Sequence, residues 1–338
     1  MNIADYKGGV WVFAEQRDGQ LQKVSLELLG KGKEVAGKLN TKLVAVLLGS
    51  DTEKIAETLV AYGADEVLVA DSKLLGHYTT DAYAKIISEL VNERKPEVVL
   101  IGATFIGRDL GPRLAAKLST GLTADCTALD IDSENSNLLA TRPAFGGNLM
   151  ATIVCADHRP QMATVRPGVF SKLEKDDSKV NASKIEKVSF DLVDSDIRTK
   201  VQKVVKLAKD IEDISEAKII VAGGRGVGTK ENFELLDELA KVVGGSIGAS
   251  RAAIEKEWVD KDLQVGQTGK TVRPVVYIAC GISGALQHLA GMEESDYIIA
   301  INKDESAPMM KLADLAIVGD LTKVIPELIA QIKVAKNK

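Results

Sequence analysis

Aromatic residues supply only 4% of this 338-residue chain, although hydrophobic residues supply 45%. The core must therefore be built mainly from Ala, Val, Leu and Ile, a composition that suits buried parallel strands covered by helices. Cysteine is almost as scarce. Cys126, Cys155 and Cys280 stand far apart with no C-x-x-C spacing, which excludes the usual metal and iron–sulfur frameworks and leaves free thiols in a reducing compartment. Neither sign of charge dominates: 43 basic and 48 acidic residues are well mixed, for a net charge of −5. That balance gives no footprint for nucleic acid. No apolar run approaches the length of a membrane span, so membrane insertion is not expected. A strand-like run, Val10-Trp-Val-Phe-Ala14, begins almost at once. It leaves no room for a signal or transit peptide and points to the cytoplasm.

What is present is length enough for two domains, each with its own core. The first part alternates aliphatic runs, at residues 10–14, 43–48, 66–70 and 98–102, with amphipathic stretches such as residues 80–93. Repeated strand–helix–strand units predict a parallel sheet with right-handed crossovers. Between residues 124 and 166 the β-like runs follow one another directly, at 126–131, 138–142, 150–155 and 162–165, and predict hairpin additions to that sheet. The charged stretch 171–187 predicts a surface excursion, with Phe190-Asp-Leu-Val193 returning to the domain. A second charged stretch, 200–216, predicts the boundary. Beyond it, strands at 218–222, 274–280, 297–302 and 315–318 alternate with helices at 230–243, from Ser283 and at 322–333. The expected fold is α/β with two domains. Residues 1–205 form an N-terminal parallel-sheet α/β domain with added β-hairpins, and residues 206–338 a C-terminal doubly wound, Rossmann-like domain.

The second domain carries the chemistry. Gln264-Val-Gly-Gln-Thr-Gly-Lys270 superficially ends like a phosphate loop, since Gly269-Lys270-Thr271 closes a Walker pattern. A phosphate loop needs a glycine where Gln264 stands and a helix directly after the Lys-Thr pair. Val272-Arg273-Pro274 follows instead, and proline disfavours helical geometry at the residue before it. Gly223-Gly-Arg-Gly-Val-Gly228 follows a strand and precedes a helix, but its spacing is not G-x-G-x-x-G and no acidic residue ends the next strand to hold a ribose. Taken with Gly248-Ala-Ser-Arg251 and Gly281-Ile-Ser-Gly-Ala-Leu-Gln-His288, these turns gather hydroxyl, amide, guanidinium and imidazole groups. Such a set suits a flat heteroaromatic ligand with a polyol and phosphates.

In this order, and with Ala300-Ile-Asn-Lys-Asp304, the motifs resemble the FAD-binding domain of the electron transfer flavoprotein alpha subunit. Thr120-Gly-Leu-Thr-Ala-Asp-Cys126, Arg142-Pro-Ala-Phe-Gly-Gly147 and Arg159-Pro-Gln-Met-Ala-Thr-Val-Arg-Pro-Gly168 extend the resemblance over nearly the whole chain. The resemblance implies one noncovalent FAD in the C-terminal domain. Arg225 would lie at the phosphates, with Ser250 and Arg251 contacting FAD and the arginine close to the ring. Val265, Gly266, Gln267 and Thr268 would line the flavin, Thr268 at its N5 edge. Backbone N–H groups from Ser283 onward would face ligand oxygen, with Gly284, Ala285, Leu286 and Gln287 beside them. His288 would hydrogen-bond the pyrimidine carbonyl and stabilise developing negative charge there. Asn302, Asp320 and Leu321 would face the adenosine part, while Asp304 reads as a turn residue.

The implied role is an electron carrier rather than a stand-alone enzyme, with no catalytic residue and no metal of its own. The resemblance implies a heterodimer with a beta subunit on which the N-terminal domain packs. Electrons would come from flavoprotein dehydrogenases such as acyl-CoA dehydrogenase. If the beta subunit holds a second FAD rather than AMP, the complex would support bifurcation involving NADH and ferredoxin or flavodoxin. Two rivals stand beside this reading. An NAD-linked dehydrogenase needs a ribose-binding acid and a substrate base, neither of which can be placed. An adenine-nucleotide-binding module on the N-terminal domain would leave the C-terminal motifs unexplained.

Overall fold

The computed structural model describes residues 3–144, 149–181, 184–204 and 214–336. They fall into two compact units, one among the residues up to 204 and the other among those from 214 on. The expected boundary at 205/206 lies outside the described residues.

The first unit runs β1 (Val10–Ala14), a small hairpin of β2 (Gln16–Arg17) and β3 (Gln20–Leu21), α1 (Lys23–Lys38), β4 (Leu43–Gly49), α2 (Glu53–Ala61), β5 (Glu66–Asp71), α3 (Thr80–Arg94), β6 (Val98–Gly102) and α4 (Phe105–Leu118). It continues with β7 (Leu122–Cys126), β8 (Ala128–Ile131), β9 (Leu138–Pro143), β10 (Met150–Ile153), β11 (Gln161–Val165) and β12 (Lys184–Lys187). Seven strands form one sheet in the order β12-β5-β4-β1-β6-β11-β7, and every pairing in it is parallel. Successive side chains of a strand point to opposite faces. Val10, Val12 and Ala14 accordingly join one core layer and Trp11 and Phe13 the other. That is why the strands read as unbroken aliphatic runs.

Three expectations for this unit are corrected. The run at 162–165 is no hairpin: β11 is wholly buried and inserts in parallel between β6 and β7. The run at 126–131 is two strands, since β7 belongs to the large sheet and β8 to a separate antiparallel sheet of order β10-β9-β8. Hairpins are thus present, but beside the large sheet rather than in it. The charged stretch 171–187 ends in β12, which pairs in parallel with β5 as an edge strand. Charged residues are common on sheet edges, where they discourage pairing with another chain. Phe190 and Leu192 do return, by packing on the core rather than by strand pairing.

The second unit runs β13 (Ile219–Gly223), α5 (Phe233–Val243), β14 (Ser246–Ala249), α6 (Arg251–Glu255), β15 (Val276–Cys280), α7 (Leu286–Leu289), β16 (Ile298–Asn302), α8 (Pro308–Leu312), β17 (Leu315–Val318) and α9 (Leu321–Lys336). Its five strands are all parallel, in the order β14-β13-β15-β16-β17. Counted within the unit this is 2-1-3-4-5, the flavodoxin-like variant of the doubly wound fold. The chain reverses direction across the sheet between β13 and β15, so the carboxyl ends of those strands open the crevice where such folds bind ligands. Phe233, Leu236, Leu239 and Ala240 form the buried stripe of α5. Helix formation after Ser283 is delayed to the four residues of α7. Among the described residues no helix is long and apolar enough to cross a membrane.

Candidate cofactor site

Two glycine turns leave the sheet at the switch point. The turn after β13 is stitched to the end of β15 by Gly224 N–H donating to the Cys280 carbonyl over 2.9 Å and Gly226 N–H to the Gly281 carbonyl over 2.9 Å. The approach is so close that a Cβ on Gly224 would lie 2.4 Å from the Gly281 carbonyl oxygen. Glycine here serves the meeting of two backbones.

The loop 264–270 closes over the same region. Val265 N–H donates to the Ala249 carbonyl at 2.9 Å, extending the edge at β14, while Lys270 N–H returns to the Gln264 carbonyl at 2.7 Å. No helix follows Lys270, and the chain runs irregularly into β15. Gln267 N–H donates to the Gln287 carbonyl at 2.6 Å, fastening the loop to α7. Gly266, at φ +139°, would drive a Cβ to 2.7 Å from that same Gln287 carbonyl. The glycine is demanded by loop-on-helix packing.

These turns surround a cleft of about 670 Å³, within the range of about 300–1,000 Å³ common for cofactor sites. Of the expected contacts, Arg225, Ser250, Arg251, Val265, Gly266 and Thr268 line it. From the turn after β15 and from β16, Ser283, Gly284, Ala285, Gln287, His288 and Asn302 also line it. The remaining four do not. The exposed Gln267 has its N–H committed to Gln287, and Leu286, at the start of α7, is exposed outside the lining. Leu321 is 4% exposed in the core under α9. Asp320 accepts from Thr322 N–H and Oγ1 at 3.0 and 2.8 Å and pairs with Lys303 at 3.0 Å. Those bonds hold its carboxyl down at about 2, so it anchors the start of α9 instead of walling the cleft.

Several lining groups were not among the expected contacts: Gly226, Ala252, Glu255, Gln264, Gly281, Ile282, Asp304 and Ala307. Glu255 had a signal, being four residues after Arg251 on a helix. Its carboxylate accepts from Arg251 Nε at 2.8 Å and orients that guanidinium. Asp304 is the turn residue expected, accepting from Ser306 N–H at 2.9 Å and Oγ at 2.6 Å, yet it reaches the wall too. Asn302 donates from Nδ2 to the Ile282 carbonyl at 3.0 Å, fixing the end of β16 to the turn after β15. The Gln264 amide donates to Thr268 Oγ1 at 2.9 Å, leaving the threonine proton available to an acceptor in the cleft.

His288 lines the cleft from deep within the unit. It is 6% exposed, and burial pushes its imidazole down to about 4, against a smaller opposing effect of the Val265 backbone. At neutral pH it offers a hydrogen bond and no charge. Nε2 lies 3.0 Å from Tyr277 Oη, while the buried Nδ1 has no well-formed hydrogen bond among the described residues, the Val265 backbone acting on the ring only weakly. An unpartnered buried polar atom on the cleft wall is costly unless a ligand completes it. A flavin carbonyl edge fits that requirement, and the hydroxyls of Ser250, Thr268 and Ser283 and the Arg225 guanidinium on the same wall fit the polyol and phosphates.

Comparison with known proteins agrees. The electron transfer flavoprotein domain family matches residues 10–193 and the electron transfer flavoprotein FAD-binding domain family residues 213–293. The chain is 76% identical to the electron transfer flavoprotein subunit alpha of Clostridium acetobutylicum over 337 residues, covering 100% of both chains. It is 69% identical to Protein FixB of Clostridium saccharobutylicum, covering 98% of each. It is 50% identical to the acryloyl-CoA reductase electron transfer subunit beta of Anaerotignum propionicum, covering 97% of this chain and 96% of the relative. The chain belongs to the electron transfer flavoprotein alpha-subunit family, with FAD as its cofactor and a beta subunit as its partner.

Proposed function

We propose that FAD lies in the cleft at the β13/β15 switch point and that electrons reach it from an acyl-CoA-linked flavoprotein dehydrogenase. The loop 264–268 and His288 would hold the ring, Arg225 and the turn after β15 the phosphates, and Asn302 the adenosine side. When bound, FAD supplies the acceptance and release of electrons. The chain's own residues orient and tune it: Thr268 presents a hydroxyl proton set by Gln264, and Arg251 brings a positive charge aimed by Glu255. The observation carrying this reading is the unpartnered buried Nδ1 of His288 on the cleft wall. The acyl-CoA link is supported by the 50% identical relative, which is named as an electron transfer subunit of an acryloyl-CoA reductase.

The first domain, with its boundary near residue 205, packs on the beta subunit in this reading. Leu149, Met150, Ile153 and Val154 are exposed along β10, an apolar strip suited to a protein partner. A nucleotide site in the first domain has less to support it. At its own crevice between β1 and β6, the buried Glu15 carboxylate accepts from Thr104 Oγ1 and from Arg17, and a buried carboxylate repels phosphate. The NAD reading loses support because the chain turns at Ser250, with no acid, where β14 ends. Unpaired Cys126, Cys155 and Cys280 suit the cytoplasm. Purifying the complex with its beta subunit tests the reading: flavin absorption bands and an acyl-CoA-dependent bleaching are expected. A nicotinamide cofactor in their place overturns it. Two FAD per heterodimer would mark a bifurcating complex that uses NADH and ferredoxin or flavodoxin, and one FAD with AMP a simple carrier.

A further inference from the structure

Tyr277, second in β15, is fully buried on the sheet face shared with Ile220, Ala222, Val265 and Val272. Its hydroxyl makes one hydrogen bond among the described residues, to His288 Nε2 at 3.0 Å. The phenol and the neutral imidazole have one exchangeable proton each, and only two arrangements share them. If the phenol donates to Nε2, the ring proton sits on Nδ1, and Nδ1–H is the single polar group left over. If Nε2–H donates instead, the phenol proton and the Nδ1 lone pair are both stranded in a buried site. Each stranded group carries its full desolvation cost, so the first arrangement wins. Burial raises the Tyr277 phenol well above its usual range and lowers the imidazole, so the phenol keeps its proton and the ring stays neutral.

We propose that Tyr277 is a positioning residue whose hydroxyl donates to His288 Nε2, locking the imidazole as the Nδ1–H tautomer and so presenting an uncharged donor to the carbonyl edge of the flavin. The proposal rests on reading the cleft as the FAD site. A donor fixed from behind requires no reorientation when its acceptor gains negative charge. Without the phenol, the Nδ1–H tautomer is favoured only by the groups facing Nδ1, and a larger part of the population would turn a lone pair toward the flavin oxygen.

The test is 15N NMR of histidine-labelled holoprotein at neutral pH, with potentiometry on the same samples. The chain has three histidines, His77, His158 and His288, so His288→Gln assigns the signal. In the wild type, Nδ1 should be protonated and Nε2 bare. In Tyr277→Phe, a swap that conserves volume, the two nitrogen signals should move toward each other as the Nδ1–H preference weakens. The preference for reduced over oxidised FAD should fall roughly fivefold or more, lowering the potential. A charged or Nε2-protonated ring in the wild type overturns the proposal, even if the variant fails to fold. So does a variant with unchanged ring signals and potential. Wild-type protein that binds no FAD would overturn the reading of the cleft, and the ring state would still decide the tautomer.

Discussion

Gly224 and Gly281 meet across the switch point, the Gly224 N–H spent on the neighbouring Cys280 carbonyl and the space for a Cβ taken by the Gly281 carbonyl oxygen at 2.4 Å. The two turns that would hold phosphates are therefore fixed to each other before any ligand arrives. Gly224→Ala should force them apart. Overpacking of this kind costs about 1–3 kcal/mol, and FAD affinity should fall with stability. Chemical denaturation and flavin fluorescence titration measure both; an Ala variant with wild-type values would show that the contact yields freely.

The Gln264–Thr268 bond predicts a graded effect. Thr268→Val removes the hydroxyl and strands the buried Gln264 amide that donates to it, which should cost about 1–3 kcal/mol without unfolding the chain. The potential of the bound flavin should also shift. Gln264→Leu should shift it in the same direction by less, since the hydroxyl remains but is no longer oriented. Equal potentials in all three proteins would remove Thr268 from the account.

His288 predicts an acid-side loss of stability. Its folded value of about 4 lies below the ordinary 6.5, so between those values the unfolded chain binds more protons than the folded one. Stability then falls as pH drops through that window, by up to about 3 kcal/mol. Comparing denaturation curves of the wild type and His288→Gln at pH values across the window isolates this contribution. The variant should lose less stability than the wild type as pH falls. Parallel curves would mean that the imidazole is not desolvated.

The first domain offers a control that is not among the residues lining the cleft. Arg166 is 5% exposed and pairs with Asp125 at 2.8 Å. Burial raises the Asp125 carboxyl, but the Arg166 hydrogen bonds and charge outweigh it and hold the group below its usual range. This contribution is present above the ordinary carboxyl value and lost as pH falls through the depressed one. Asp125→Asn leaves a buried guanidinium short of its counter-charge and should cost about 3 kcal/mol, with FAD content per folded chain unchanged. Loss of FAD without loss of stability would contradict the assignment of this pair to packing.

Much of this was legible in the sequence because the chemistry sits in contiguous turns. Arg225, Ser250, Thr268 and His288 each belong to a glycine-marked motif, and the parallel strands showed as unbroken aliphatic runs. Strand order did not show, since β13–β17 look alike whether wound as 3-2-1 or 2-1-3. Antiparallel and parallel runs were confused for β11 because periodicity reports burial and not direction. Tyr277 was missed for a related reason: on a buried strand an aromatic reads as core, and only the structure reveals that its hydroxyl meets His288. The resemblance sets Asp320 and Leu321 beside the adenosine, while the structure shows Asp320 bonded to Thr322 and Lys303 and Leu321 packed in the core, contacts that a motif does not carry.

Ala285 offers the most direct test of FAD in this cleft. It is an exposed cleft-lining residue with its small side chain outside the core. Ala285→Trp fills the space at little cost to folding, so the measurement is FAD per chain in purified wild-type and variant complexes, with circular dichroism to confirm folding. One FAD per wild-type chain, and its loss from a folded Ala285→Trp chain, is the expected result. A folded variant that retains its full FAD would place the cofactor elsewhere.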